Sequence, residues 1–119
     1  MSEPAVVCKA VEKSFGTDQT RLRVLRGVEM QAHYGEMTFL MGPSGSGKTT
    51  LLSIIAGILK ADGGLVRVLS REIGHLRDRE AAGFRLKNLG FVFQQFNLIP
   101  ALTAAENASV PLLAGGWKR

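Results

Sequence analysis

Gly42-Pro43-Ser44-Gly45-Ser46-Gly47-Lys48-Thr49 is a glycine, four residues, a second glycine, a lysine and a threonine, set between an apolar run and a helix-forming stretch. This is the P-loop pattern in its required place between strand and helix. A chance match in a chain of this length is on the order of a few in a thousand at ordinary glycine frequencies. Glycines permit the positive backbone angles that turn successive N–H groups inward and let the main chain approach an oxygen anion closely. The helix that follows adds its positive N-terminal end. Lys48 supplies a mobile charge for β- and γ-phosphates, and the Thr49 hydroxyl suits the magnesium that bridges them. The expected phosphate-contacting set is Gly42, Pro43, Ser44, Gly45, Ser46, Gly47, Lys48, Thr49 and Thr50, with Pro43 stiffening the loop entrance.

Such a loop belongs to a layered α/β core, and the flanking residues fit one. Met37–Met41 is apolar almost throughout and reads as a strand buried on both faces. Lys48 to Leu59 reads as a helix buried nearly all round and ending by the Ala61-Asp62-Gly63-Gly64 turn. Upstream, Ala5 to Ala10 and Leu22 to Met30 read as two strands, antiparallel across the turn-like Ser14–Asp18. Downstream, Leu65 to Leu69 reads as a strand, Leu76 to Asn88 as a charged amphipathic helix and Leu89–Phe93 as a buried strand leading into Gln94. Thr103 and Glu106 have capping-box spacing, which predicts a helix starting there and running towards Leu113. The fold class is therefore α/β: a P-loop NTPase layered core with an antiparallel β amino-terminal part.

Composition narrows the setting. With 119 residues, 45% apolar and 21% charged, the chain is one ordinary globular domain, and disorder, collagen and disulfide scaffolds are excluded. The net charge of +5 is scattered. Arg71, Arg77, Arg79, Arg85 and Lys87 are diluted by Glu72, Asp78 and Glu80, so a solvated surface is favoured over a nucleic-acid stripe. The single cysteine, Cys8, cannot form an internal disulfide and is expected to be buried and inert. No signal-peptide layout opens the chain. The longest strongly apolar stretch, Leu51 to Leu59, is about half of what a bilayer-spanning helix needs.

The surroundings of the loop carry a resemblance. Gly27 to Met30 with Tyr34-Gly35-Glu36, the loop through Thr50, then Leu51-Leu52 and Ala56-Gly57, and later Phe91-Val92-Phe93-Gln94-Gln95-Phe96-Asn97-Leu98-Ile99-Pro100, together resemble the ATP-binding subunit of an ABC transporter. The second block, with Leu102-Thr103 and Glu106-Asn107, looks most like the subfamily serving lipoprotein-release and macrolide- or peptide-export systems. The resemblance implies ATP and Mg2+ as ligands. It makes Phe15 the aromatic that stacks on adenine, and Gln94 the glutamine that contacts magnesium and the attacking water. Phe15 also suits a core or turn aromatic, and Gln94 an exposed loop amide, although a polar pair directly after a buried strand sits at the strand carboxyl end, where open α/β sheets place ligands. The implied partners are a membrane permease and a second ATP-binding subunit, with no nucleic acid expected. The implied location is cytoplasmic, peripheral on the inner face of the membrane through the permease.

Several family elements are absent from these residues. No glutamate follows an apolar strand ending in aspartate, no Leu-Ser-Gly-Gly-Gln occurs, and His33 and His75 lie in the wrong region for the family histidine. Residues 1–119 accordingly read as a partial nucleotide-binding domain, the amino-terminal half, truncated before the elements that complete the second half-site. An inert nucleotide-binding fragment and an ABC-type ATPase acting on DNA are the competing readings. Two smaller departures are Ala61-Asp62-Gly63-Gly64, where a proline-containing turn is more usual, and Ser70, where relatives often have a turn glycine.

Overall fold

A computed structural model describes residues 3–92 and 98–116. The first strand, β1 (Pro4–Phe15), pairs antiparallel with β2 (Leu22–His33), placing Cys8 opposite Met30 and Val11 opposite Val28. Both strands run longer than the sequence reading placed them. The extension has a cause: β1 is flanked on both sides, because β3 (Gly63–Val68) pairs with its other edge through Val6↔Val68 and Cys8↔Val66. A short β4 (Arg71–Glu72) completes the order β2-β1-β3-β4. The β3–β4 connection is a two-residue turn, Leu69-Ser70, with φ of 51° and 66°. Positive φ at both central residues is the primed turn whose twist matches the strands. Ser70 thus adopts a conformation that glycine adopts at lower cost, and its hydroxyl donates to Glu3 Oε1 at 2.7 Å.

The described residues form three helices, whose ends are set by local backbone and side-chain contacts. The helix α1 (Lys48–Ile55) stops before the residue expected from its apolar run. Gly57 takes φ +75° while its N–H bonds the Ile54 carbonyl and that of Ile58 bonds the Ser53 carbonyl, a Schellman close that ends the helix whatever the hydropathy beyond it. The second helix, α2 (Asp78–Asn88), starts where Glu80 accepts the Arg77 N–H. The third, α3 (Ala104–Ala114), starts at Thr103 as its spacing predicts, and none of its residues is buried.

One face of the sheet and two helices make the core. Cys8, Val11, Leu25, Val66 and Val68 meet Leu51 and Ile54 of α1, Ile73 and Leu76 of the connecting segment, and Ala81 and Phe84 of α2. Each fully buried Val, Leu, Ile or Phe contributes about 1.5–3 kcal/mol over exposure. Cys8 is 1% exposed, and burial pushes its thiol up to about 11, so it packs as a small apolar residue.

Two expected strands are not formed. Met37–Met41 lies in irregular backbone outside the sheet, with Met37, Phe39 and Met41 exposed by 76% or more. Leu89–Val92 is likewise outside any strand, and Phe93 lies beyond the described residues. Apolar runs report what a segment could bury. A strand also needs a laddered neighbour, and among the described residues the sheet β2-β1-β3-β4 includes neither segment.

Candidate functional site

The loop between Gly42 and Thr50 is held by contacts that its own sequence does not announce. In the β1–β2 ladder Lys13 faces Leu25 and Ser14 faces Arg23, so Val24 is an extra residue in β2. Such a bulge breaks the alternation of side chains. Val24 and Leu25 both reach Gly47: a Cβ built there would lie 2.9 Å from Leu25 Cδ2 and 3.1 Å from Val24 Cγ1. Gly47 also has φ +96° and Gly45 φ +80°, so the expected left-handed angles occur at these two glycines. Gly42 does not share that conformation.

Gly47 is the N-cap of α1, and it brings no capping side chain; the first turn of the helix holds no acidic residue. The Ser46 N–H bonds the Pro43 carbonyl, and Leu51 N–H opens the helical ladder on Gly47. The Lys48 ammonium folds back over the loop, donating to the carbonyl oxygens of Gly42 and, at 3.0 Å, of Pro43. Around it is a cavity of about 490 Å³ lined by Ser44, Gly45, Gly47, Lys48, Thr49, Thr50 and, from the bulge, Val24. Chemically this is a concave, cation-bearing cradle at a helix N-terminus, a fit for a chain of phosphates. Thr49 is exposed beside it and offers a hydroxyl oxygen. Magnesium keeps several waters and takes phosphate oxygens, so one hydroxyl from the chain is a sufficient protein ligand.

Phe15 stands at the end of β1 and is 42% exposed; its partner Leu22 lies two residues before the bulge residue Val24. The Lys13 ammonium lies 5.5 Å from the ring centroid. Gln94 lies outside the described residues. Beyond it, Asn107 clamps the turn before α3: its Oδ1 accepts the Ile99 N–H at 2.7 Å and its Nδ2 donates to the Leu102 and Thr103 carbonyls. Glu106 accepts the Thr103 N–H, and that bond holds its carboxyl below the ordinary 4.5. Sequence reasoning missed the Val24 bulge and the Asn107 clamp. The clamp follows the capping box by one residue, which was its only trace; the bulge left none.

Known proteins resemble this chain in sequence and in fold. An ATP-binding protein for bacitracin export from Halalkalibacterium halodurans is 42% identical over 102 residues, covering 86% of this chain and 40% of the relative. A lipoprotein-releasing system ATP-binding protein from Rhodospirillum rubrum is 42% identical over 97% of this chain and 50% of its own length. Among solved structures, the ATP-binding cassette MJ0796 bound to ADP and Pi, a dimer in a post-hydrolysis state, superposes with a TM-score of 0.85 at 41% identity, over 92% of this chain and 47% of that one. The chain spans about half the length of the relatives it matches. These likenesses show the P-loop NTPase-type fold of ATP-binding cassettes. Residues 25–119 match the ABC transporter family model, and with four-fifths of its length matched the chain belongs to the ABC transporter family.

Proposed function

We propose that this chain carries the phosphate- and base-holding part of an ABC transporter's ATP-binding subunit, binding Mg-ATP so that closure and hydrolysis drive a partner membrane permease. The observation that carries the reading is the Lys48 ammonium seated over a loop whose helix end is left uncapped. In that reading the backbone of Gly42–Gly47 and the N-terminus of α1 hold the phosphates. Lys48 neutralises β- and γ-oxygens, the Thr49 hydroxyl would hold magnesium, and Thr50 completes the phosphate-contacting set. Phe15 stacks on adenine, and Gln94 orients magnesium and water.

Binding and chemistry have separate requirements. Hydrolysis needs a group that activates water. After Gln94 the sequence holds one carboxylate, Glu106, and it is committed to capping α3 with its basicity lowered. The ATP-binding relatives, and the dimeric MJ0796 cassette, support a second ATP-binding subunit and a permease as partners. No helix among the described residues is long and apolar enough to cross a membrane. In this proposal, attachment to the inner membrane face runs through the permease.

Calorimetric titration with Mg-ATP tests the reading. Lys48→Ala should abolish most binding, while Lys87→Ala, on the exposed side of α2, should leave it unchanged. Equal affinities in the two variants would overturn it.

A further inference from the structure

In the Ala61-Asp62-Gly63-Gly64 turn, the structure gives Asp62 more contacts than a turn residue needs. Its N–H donates to the Glu12 carbonyl at 2.8 Å. Its Oδ2 accepts the Ser14 N–H at 2.7 Å, and its Oδ1 accepts from Lys13 Nζ at 3.2 Å. Three consecutive residues of β1, the ones immediately before Phe15, are thus bound by one aspartate. Lys13 is only 14% exposed in this pairing, and the same ammonium sits over the Phe15 ring. The turn itself is the exit from the α1 segment, whose other end holds the phosphate loop.

We infer that Asp62 and Lys13 form a latch that positions the Phe15 ring for the adenine base, tying the base-holding end of the site to the chain that leaves the phosphate helix. The inference rests on the proposed stacking role of Phe15. A cation on one ring face leaves the other for a base, and a fixed ring loses less conformational freedom when the base arrives. The Ser14 N–H bond holds the Asp62 carboxyl below its ordinary range, so the latch is charged at neutral pH. Asp62 and Lys13 are positioning residues, acting through Phe15.

The test compares Mg-ATP with magnesium tripolyphosphate, which has the phosphates and no base, by calorimetry on the 119-residue chain. Asp62→Asn and Lys13→Met should each weaken ATP by about three- to tenfold and leave tripolyphosphate unchanged, and Lys13→Arg should restore ATP affinity because it keeps both the ion pair and the ring contact. Phe15→Ala is the reference and should weaken ATP alone. Unchanged ATP affinity in Asp62→Asn beside a loss in Phe15→Ala would overturn the latch while the stacking role stands. Equal losses for both ligands in Asp62→Asn would also overturn it, since a merely structural aspartate predicts that result. No loss in Phe15→Ala would remove the stacking role and the latch with it.

Discussion

The N-termini of α1 and α3 solve the same problem in opposite ways. Each leaves backbone N–H groups without helical partners. At α3 the Thr103 hydroxyl accepts the Glu106 N–H at 3.2 Å and the Glu106 carboxylate accepts the Thr103 N–H at 3.0 Å, a closed reciprocal cap. At α1 the cap residue is a left-handed glycine with no side chain, no acid lies in the first turn, and a lysine stands at the first helical position. A helix start that is internally satisfied has nothing to offer a ligand. The one left open, with a cation in place of an anion, costs the apo protein stability and reserves its donors for an external oxygen anion.

The largest expected effect breaks the open end itself. Gly47→Ala imposes a left-handed φ on alanine and pushes a methyl into Leu25 and Val24. The strain costs about 1–3 kcal/mol, and the displaced loop should lose Mg-ATP affinity in parallel. Thermal melting and calorimetry on one sample check both. An alanine variant of unchanged stability would show that the loop is seated by something other than the Val24 bulge.

A smaller effect sharpens the comparison by making α1 resemble α3. Thr50 and Glu106 occupy the same position, the third residue of their helices. Thr50→Glu should raise stability by about 0.3–1 kcal/mol, since an anion complements the helix dipole, while weakening ATP through repulsion of phosphate. Opposite signs for stability and affinity are the readout. The converse change, Thr103→Ala, should cost about 1 kcal/mol and leave ATP affinity unchanged. A loss of ATP affinity in that variant would tie α3 to the nucleotide site.

How much of this was legible in the chain depends on where each residue's partner lies. The P-loop ahead of α1, the α3 cap and the antiparallel β1–β2 pairing are local patterns and each is present, although both strands run longer than expected and no strand precedes the loop. Gly57 was visible as a residue yet its Schellman close was not, because hydropathy continued past it to Leu59. Met37–Met41 failed as a strand for a different reason: its composition specifies burial, and the sheet offers it no ladder. The Asp62 contacts span 48 and 49 residues of sequence, and Val24 matters only through a slip in register, so neither leaves a periodic trace. Of the candidate site, the sequence marked the loop from Gly42 to Thr50, and the cavity there is lined by Ser44, Gly45, Gly47, Lys48, Thr49 and Thr50 together with Val24, which the sequence did not mark. The way the loop is seated was not legible, and Gln94 lies outside the described residues.

The smallest effect is a pH dependence that one helix end should have and the other lack. The Glu106 carboxyl is held below its ordinary 4.5, first by the Thr103 N–H bond. A carboxyl whose folded value is depressed contributes stability that is fully present above the ordinary value and is lost as pH falls through the depressed one. Acidification from about pH 5 downward should therefore loosen the start of α3, with the Thr103 hydroxyl retaining its half of the cap. The first turn of α1 contains no carboxylate, so its own start has nothing to titrate in that range. Amide exchange read by NMR separates the two. Protection at Glu106 and Asn107 should fall with pH in the wild type after correction for intrinsic rates, the fall should vanish in Glu106→Gln, and protection at Leu51 should show no matching step. A step at Leu51 of the same midpoint would mean that the two ends unfold together, and that the contrast between an open and a closed helix start is not felt locally.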